Sequence, residues 1–393
     1  ISAKAGCKFT FKSENNQIIG AIDFIDSPSL DGIPKLFESK VEGTFSGSNS
    51  FWFGDDNSFA NAKTFPPEYK DLFEYLKPQL SDQLSLTFKN GAQWTYLGNQ
   101  DMVTDDETGI TVTFDTKRIS KITLESGGII NLYDNDIKNF CDEQGISDLI
   151  TYVDHDYVRV GYLNGSGGIF RIDTNGEDKS KSDLIFVENT QLGKGGGHHV
   201  QVEGLDTLNS ISDTNTLTFA LVSKEATEGG VGFSETENVE GDRLFNYELD
   251  IRPIRIENED DLNDKEEFEG LDNILQDYTE GSTYWEIYRV VRQNSSSTLG
   301  MIGSGYAGYD LAVDMDRYDR RIHESIHNNF SDNGLWIRVS HGRKGASRVY
   351  ENDIDTVTIG FEKDIIPSSN RLGAWLSYTK GDVDYSSVRG SAD

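Results

Sequence analysis

Apolar and polar residues alternate along most of this chain. Lys8–Lys12 reads KFTFK. Leu84, Leu86 and Phe88 alternate with polar residues in LSLTFK, ahead of Asn90–Gly91 and a second apolar stretch through Trp94. A period of two puts successive side chains on opposite faces of a strand, so these segments predict half-buried β-strands. IIGAIDFI (18–25), ITVTF, RISKITLESGGIINLY, YVRVGYLNGSGGIFRID and SDLIFVEN carry the rhythm to residue 190, with Gly, Asn or Asp at the corners. Stacked rungs burying a shared apolar column account for it, and a β-sandwich is the competing arrangement.

The period changes in two places. Leu72, Tyr75 and Leu76, between 66 and 80, predict a short helix inserted in the β framework. Leu311, Met315, Tyr318, Ile322 and Ile326 recur every three or four residues and predict an amphipathic helix over 310–330. Between these lie HHVQVEG, NTLTFALVSK, FNYELDIRPIRI and YWEIYRVVR, again strands. After Gly334 come LWIRVS, DTVTIGFEKD and RLGAWLSYTKGD, with Trp336, Tyr350, Trp375, Tyr378 and Tyr385 in or near them. Alternating strands of about ten residues with aromatic ends suit a transmembrane barrel. Three strands cannot close one, so the parent chain is expected to continue beyond Asp393.

Composition narrows the classes. Thirty-nine glycines against seven prolines in 393 residues favour turns over disorder, and the all-β reading stands. Sixty-seven acidic against 36 basic residues give a net charge of −31, which repels phosphate backbones and argues against nucleic-acid partners. That charge suits an extracellular or periplasmic setting. No apolar run is long enough for a membrane helix. Ile1 opens no signal peptide, so the sequence reads as a piece of a longer precursor. Cys7 and Cys141 match no metal spacing and are expected to be buried thiols. Segment 257–280 holds eleven acidic residues, among them Glu259, Asp260, Asp261, Asp264, Glu266 and Glu267. It lacks the spacing and central Gly of an EF-hand and reads as a solvated loop insertion.

Candidate chemistry is sparse. GKGGGHH (193–199) lacks the Gly-Lys-Ser/Thr ending of a phosphate loop and reads as a mobile strand connection. His323-Glu324-Ser325-Ile326-His327 is HExxH, which on a helix sets two imidazoles one turn apart for Zn²⁺ with the Glu as general base. A third ligand is harder to find. Glu351 precedes the alternating residues Val357, Ile359 and Phe361 rather than lying on a helix. Phe330 and Asn333 stand where the longer zinc-protease pattern needs Gly and His. The polar face of a helix is the better account, and neither metal nor cofactor is expected. No G-x-S-x-G elbow is present, and nothing selects an acid pair from the many carboxylates.

The order of elements resembles the pertactin-like and AIDA-like autotransporters of type V secretion over roughly residues 84–393. FKNGAQWTYLGN with RISKITLESGGIINLY is similar to that family's solenoid rungs, and YLNGSGGIFRIDTNGEDKSKSDLIFVEN to its last rungs. NTLTFALVSK through FNYELD and WEIYRV resembles its C-terminal folding core, the autochaperone. The helix 310–330 resembles the linker that threads the barrel pore. NGLWIRVSHGR, IDTVTIGFEKDI and NRLGAWLSYTKGDVDYSS resemble the first barrel strands. The resemblance implies a right-handed parallel β-helix over 1–190, a cap over 191–293 containing the insertion 257–280, a linker over 294–333, and a partial outer-membrane barrel over 334–393. Phe219, Phe233, Tyr247 and Trp285 would close the column in the cap, and Trp336, Trp375 and Tyr378 would be barrel-strand aromatics. It further implies display at the cell surface, anchorage in the outer membrane through the complete barrel, and contact with the outer-membrane assembly machinery. A host or glycan ligand would bind an adhesin or stalk without catalysis. Some family members cut the linker at an Asn pair, but Asn328–Asn329 lies too late for that step. A β-helix enzyme acting on polysaccharide or peptide is the alternative from a different class.

Overall fold

The computed structural model describes residues 8–24, 38–64, 80–96, 102–104, 111–145, 156–235, 239–240, 245–258, 260–263, 265–294, 334–346, 350–366 and 370–385, with single residues at 71, 75, 298, 301 and 305. The protein is mostly β-strand, and its contacts divide into two compact units. The first holds residues 1–241 and 247–291, the second 242–246 and 292–393.

In the first unit, successive strands go to different sheets. Sheet I contains Lys8–Glu14, Lys40–Ser46, Leu84–Lys89, Arg118–Glu125, Tyr157–Ser166, Leu184–Val187 and Leu217–Val222, each parallel to the next. Sheet II contains Gln17–Ile19, Phe51–Phe53, Gln93–Thr95, Ile129–Asn131, Ile169–Asp173, Gly197–Glu203 and Gly232–Glu235, also all parallel. The corners between the sheets need left-handed backbone. Asn90 (φ 55°) with Gly91 (φ 83°), and Ser126 (φ 48°) with Gly127 (φ 79°), provide it at equivalent bends. Asn90–Gly91 therefore turns the chain from one sheet to the other and does not close a hairpin.

In-register stacking fixes the core. Leu84, Leu86 and Phe88 are fully buried while Ser85, Thr87 and Lys89 are only partly so. Val41 lies beside Leu84, and Phe45 beside Phe88, with rings parallel at 4.7 Å. Leu86 continues to Ile122 and on to Leu163. In sheet II, Trp52 and Trp94 lie side by side at 5.9 Å. Each buried indole donates its N–H to a glycine carbonyl, Gly20 and Gly54, at 3.0 Å. A buried indole N–H without an acceptor would cost about 1–3 kcal/mol.

The parallel order ends at Leu217–Val222. Its next neighbour, Thr283–Asn294, runs antiparallel, and Phe245–Arg255 and Val239–Glu240 follow in the same sheet. All six residues of Leu217–Val222 are buried, so both faces of that strand are covered. The second cover is segment 257–280. Its acidity predicts a solvated loop, but Leu262, Phe268, Ile274 and Tyr278 pack with Ile256 onto Leu184, Phe186 and Leu221. Glu267, itself buried, accepts the backbone N–H of Thr218 at 2.8 Å. Glu257, Asp261, Glu266, Glu269, Asp272, Asp277 and Glu280 stay exposed while a few apolar side chains do the packing.

In the second unit, Gly334–Ala346, Tyr350–Ile366 and Asn370–Tyr385 form an antiparallel sheet, sheet III. These strands have 13, 17 and 16 residues, longer than the ten or so predicted.

Candidate functional site

Three features of the described residues carry chemistry. The first is sheet III, whose register sorts its side chains by parity. One face places Leu335, Phe361 and Ala374 side by side, then Ile337, Ile359 and Leu376, then Val339, Val357 and Tyr378, with Leu372 beyond. All ten are exposed, the nine larger ones from 39% at Val357 to 78% at Leu376. The band runs about 20 Å along the strands at ~3.3 Å per residue. Charge bounds it at one end: His341 bonds Asp355 at 2.8 Å, and Arg343 grips Asp353 through Nε and Nη2 at 2.7 and 3.0 Å. The opposite face is mixed: Thr356 bonds Thr379 at 3.2 Å and Thr358 bonds Ser377, while Ile354, the register partner of Gly342 and Gly381, is buried on it. Tyr378 sits on the apolar face. Trp336 and Trp375 sit on the other, both beside Gly360, where a Cβ would come within 2.3 Å of the Trp336 ring.

The second feature is a polar cleft of about 380 Å³ in the first unit. Arg118 and Arg159 are register partners on neighbouring strands, so two guanidiniums lie together. Glu188 joins them. Arg118 donates from Nε and Nη2 to the two Glu188 oxygens at 2.9 and 2.6 Å, and Arg159 Nη2 lies 2.8 Å from Oε1. Arg159 also meets Asp115 at 3.3 Å and Asp277, from the acidic segment, at 3.1 Å. Arg118 Nη1 donates to the Ala60 carbonyl at 3.1 Å and to Asn61. Burial raises the Glu188 carboxyl, but the two guanidiniums outweigh it and hold the pKa down at about 2. Burial likewise works against the Arg118 cation, and Glu188 more than restores it. Tyr278 lines the cleft and is 2% exposed, and burial together with Glu188 keeps its phenol protonated. Its Oη and the Nε of Arg159 have no hydrogen-bond partner among the described residues.

The third is a set of buried titratable groups in the ladder. Asp173 and Glu203 are register partners in sheet II and share a hydrogen bond. Burial, with Asp134 and Glu203 nearby, pushes Asp173 up to about 7, opposed by the Asp134 N–H that it accepts at 2.7 Å. Two carboxyls bonded to each other lie closer than the ~5 Å or more that a glycosidase needs to flank a bond. Burial also raises Asp183, which accepts the N–H groups of Asp156 and Asp173 at 3.0 and 2.8 Å. His198, fully buried, accepts the Gly168 N–H at Nδ1 (3.3 Å), and burial lowers its pKa to about 4.

Of the cap aromatics, Phe219 and Trp285 both meet Phe233 edge-to-face, at 5.7 and 5.6 Å, and Phe170 meets it at 5.4 Å. Tyr247 is buried in Phe245–Arg255. Two of the glycines in 193–199 are fixed by close neighbours. A Cβ at Gly195 would lie 2.5 Å from the Gly229 carbonyl, and one at Gly196 2.7 Å from that of Gly165. Cys141 is buried with Phe51, Phe53 and Ile137, whereas Cys7 lies outside the described residues. The HExxH residues 323–327, the Asn328–Asn329 pair, the helix 310–330 and most of the helix at 66–80 also lie outside them. Among the described residues no group of three or more His, Cys, Asp or Glu is placed to hold a metal, and no helix is long and apolar enough to cross a membrane. Sequence reasoning missed the cleft because its residues are far apart in the chain. Its one local signal was an arginine on each of two otherwise alternating strands.

No family model, curated protein or solved structure matches the chain.

Proposed function

We propose that this chain is the passenger end and the beginning of the translocator of a bacterial autotransporter. The first unit is then a right-handed parallel β-helix, an adhesin or binding stalk without catalysis, closed by an autochaperone cap at the cell surface. Sheet III is then part of an outer-membrane barrel whose insertion uses the outer-membrane assembly machinery. The observation that carries the reading is the exposed apolar face of sheet III. Nine larger solvent-facing apolar side chains in one band, backed by hydroxyl and charged residues, suit a strand set with lipid on one side and water on the other. The all-parallel ladders of the first unit, which alternate between two sheets and end in an antiparallel cap, support the β-helix part, since an open end needs covering.

The test is spin labelling of single cysteines placed at 335 to 340 and at 356 to 361, in membranes from cells producing the protein. Relaxation by dissolved oxygen is expected at 335, 337, 339, 357, 359 and 361, and relaxation by a water-soluble nickel chelate at the positions between. Equal access of the chelate to both sets would sink the membrane assignment.

A further inference from the structure

We infer that the cleft between Arg118, Arg159, Glu188 and Tyr278 binds a neutral mono- or disaccharide. The inference rests on the first unit alone and does not depend on the membrane reading. Charge sets the ligand class. Lys63, Arg118 and Arg159 face Asp115, Glu188, Glu225 and Asp277, so the lining is balanced to within one negative charge. The guanidiniums are already engaged by carboxylates at 2.6–3.3 Å, so an anionic ligand would have to displace Glu188 or Asp115 and meet their repulsion. A metal cation would find those same carboxylates occupied. What remains unsatisfied at the cleft is a mixture of buried donors and rim acceptors. The Tyr278 hydroxyl and the Arg159 Nε–H are unpartnered among the described residues, and Glu225 and the outer oxygen of Asp277 are available at the rim. A sugar hydroxyl donates and accepts at once, which matches such a lining better than a group of fixed polarity.

Size points the same way. About 380 Å³ is at the small end of ligand sites and holds one or two sugar rings rather than a long chain. The depth of the site comes from Tyr278, whose ring is fixed against Phe186 at 5.8 Å, so its hydroxyl is preorganised. The neutral phenol also leaves the local charge unchanged on binding.

The experiment is saturation-transfer NMR and calorimetry on the full chain with maltose, lactose and N,N′-diacetylchitobiose as probes. At least one is expected to bind saturably below about 10 mM. Tyr278→Phe, which removes only the unpartnered oxygen, should weaken that binding about fivefold or more. Glu225→Gln at the exposed rim should weaken it about threefold and serves if Tyr278→Phe fails to fold. Absence of binding by all three probes overturns the proposal. So does binding that both variants leave unchanged, and so does tighter binding of inorganic phosphate or N-acetylneuraminic acid than of any neutral probe.

Discussion

Replacing Phe268 by alanine tests whether the acidic segment is a packed cover or a loop in water. Phe268 is 3% exposed, packs with Leu184, Leu221, Ile274 and Tyr278, and lies 6.3 Å from the Phe186 ring. Truncating a buried Phe to Ala costs about 3–5 kcal/mol, and the lower end applies where a surface segment can settle into the space. Hydrogen exchange of the full chain reads the loss locally. The amide of Thr218 is held by Glu267 of the segment at 2.8 Å, and those of Ile274 and Tyr278 by carbonyls within it at 2.8 and 2.9 Å. If the segment lifts as a unit, a loss of about 3 kcal/mol speeds exchange at all three by roughly 100-fold. Leu192→Ala, at a side chain 95% exposed, is the control and should leave them unchanged. Exchange at Thr218 that rises less than about threefold in Phe268→Ala would show that the apolar contacts contribute little, and the solvated-loop reading would return.

Three further outcomes follow from the buried charges. His198 has a folded pKa of about 4 against an ordinary value near 6.5, so its neutral form stabilises the fold at neutral pH. That contribution, about 3 kcal/mol, is lost as pH falls from 6.5 toward 4, and urea titrations of His198→Leu should show this slope abolished. Asp173 has the opposite sign. Its folded pKa of about 7 lies above the unfolded value, so stability is lost as pH rises from about 4 to 7. Thermal melts of Asp173→Asn should therefore gain on the parent protein as pH is raised from 4 to 8. Glu188→Gln leaves two partly buried guanidiniums without their shared carboxylate, and chemical denaturation above pH 5 should report a loss of about 2–3 kcal/mol, below the range for a fully buried pair. A loss under about 1 kcal/mol would mean that water already screens the cluster.

The alternation that makes the strands was legible, whereas the sheet each strand joins was not. Leu84–Lys89, Asn90–Gly91 and Gln93–Thr95 read as strand, turn and strand, which is what the chain does, yet the two strands never pair. Their partners lie further along the chain, at a separation that varies from strand to strand. Val158 pairs with Ile185, 27 residues on, while Val41 pairs with Leu84, 43 residues on. Insertions such as the helix Asp134–Gln144 take up the difference, so no fixed repeat survives in the sequence. The acidic segment failed for another reason. Eleven carboxylates dominate its composition, while Leu262, Phe268, Ile274 and Tyr278 follow no single helical or strand period. The cleft is a product of register alone, since Arg118 and Arg159 meet only because their strands are neighbours.

In sheet III the parity of the aromatics was readable all along. A barrel girdle needs its rings on the lipid face, and under the proposed reading that would be the exposed apolar face of Leu335, Ile337 and Val339. Trp336 is one residue out of step with them, and Trp375 one out of step with Leu376, so both indoles lie on the opposite side. Only Tyr378 has the parity of the band. What the sequence alone hides is Gly360, the cross-strand partner of both tryptophans, whose missing side chain makes room for the Trp336 ring. Gly360→Val puts a Cβ within 2.3 Å of that ring and forces it off the sheet. The expected result is a red shift in tryptophan emission, with the hydroxyl pairs at Thr356 and Thr358 retained. An unchanged emission spectrum would mean that the Trp336 indole does not lie across Gly360.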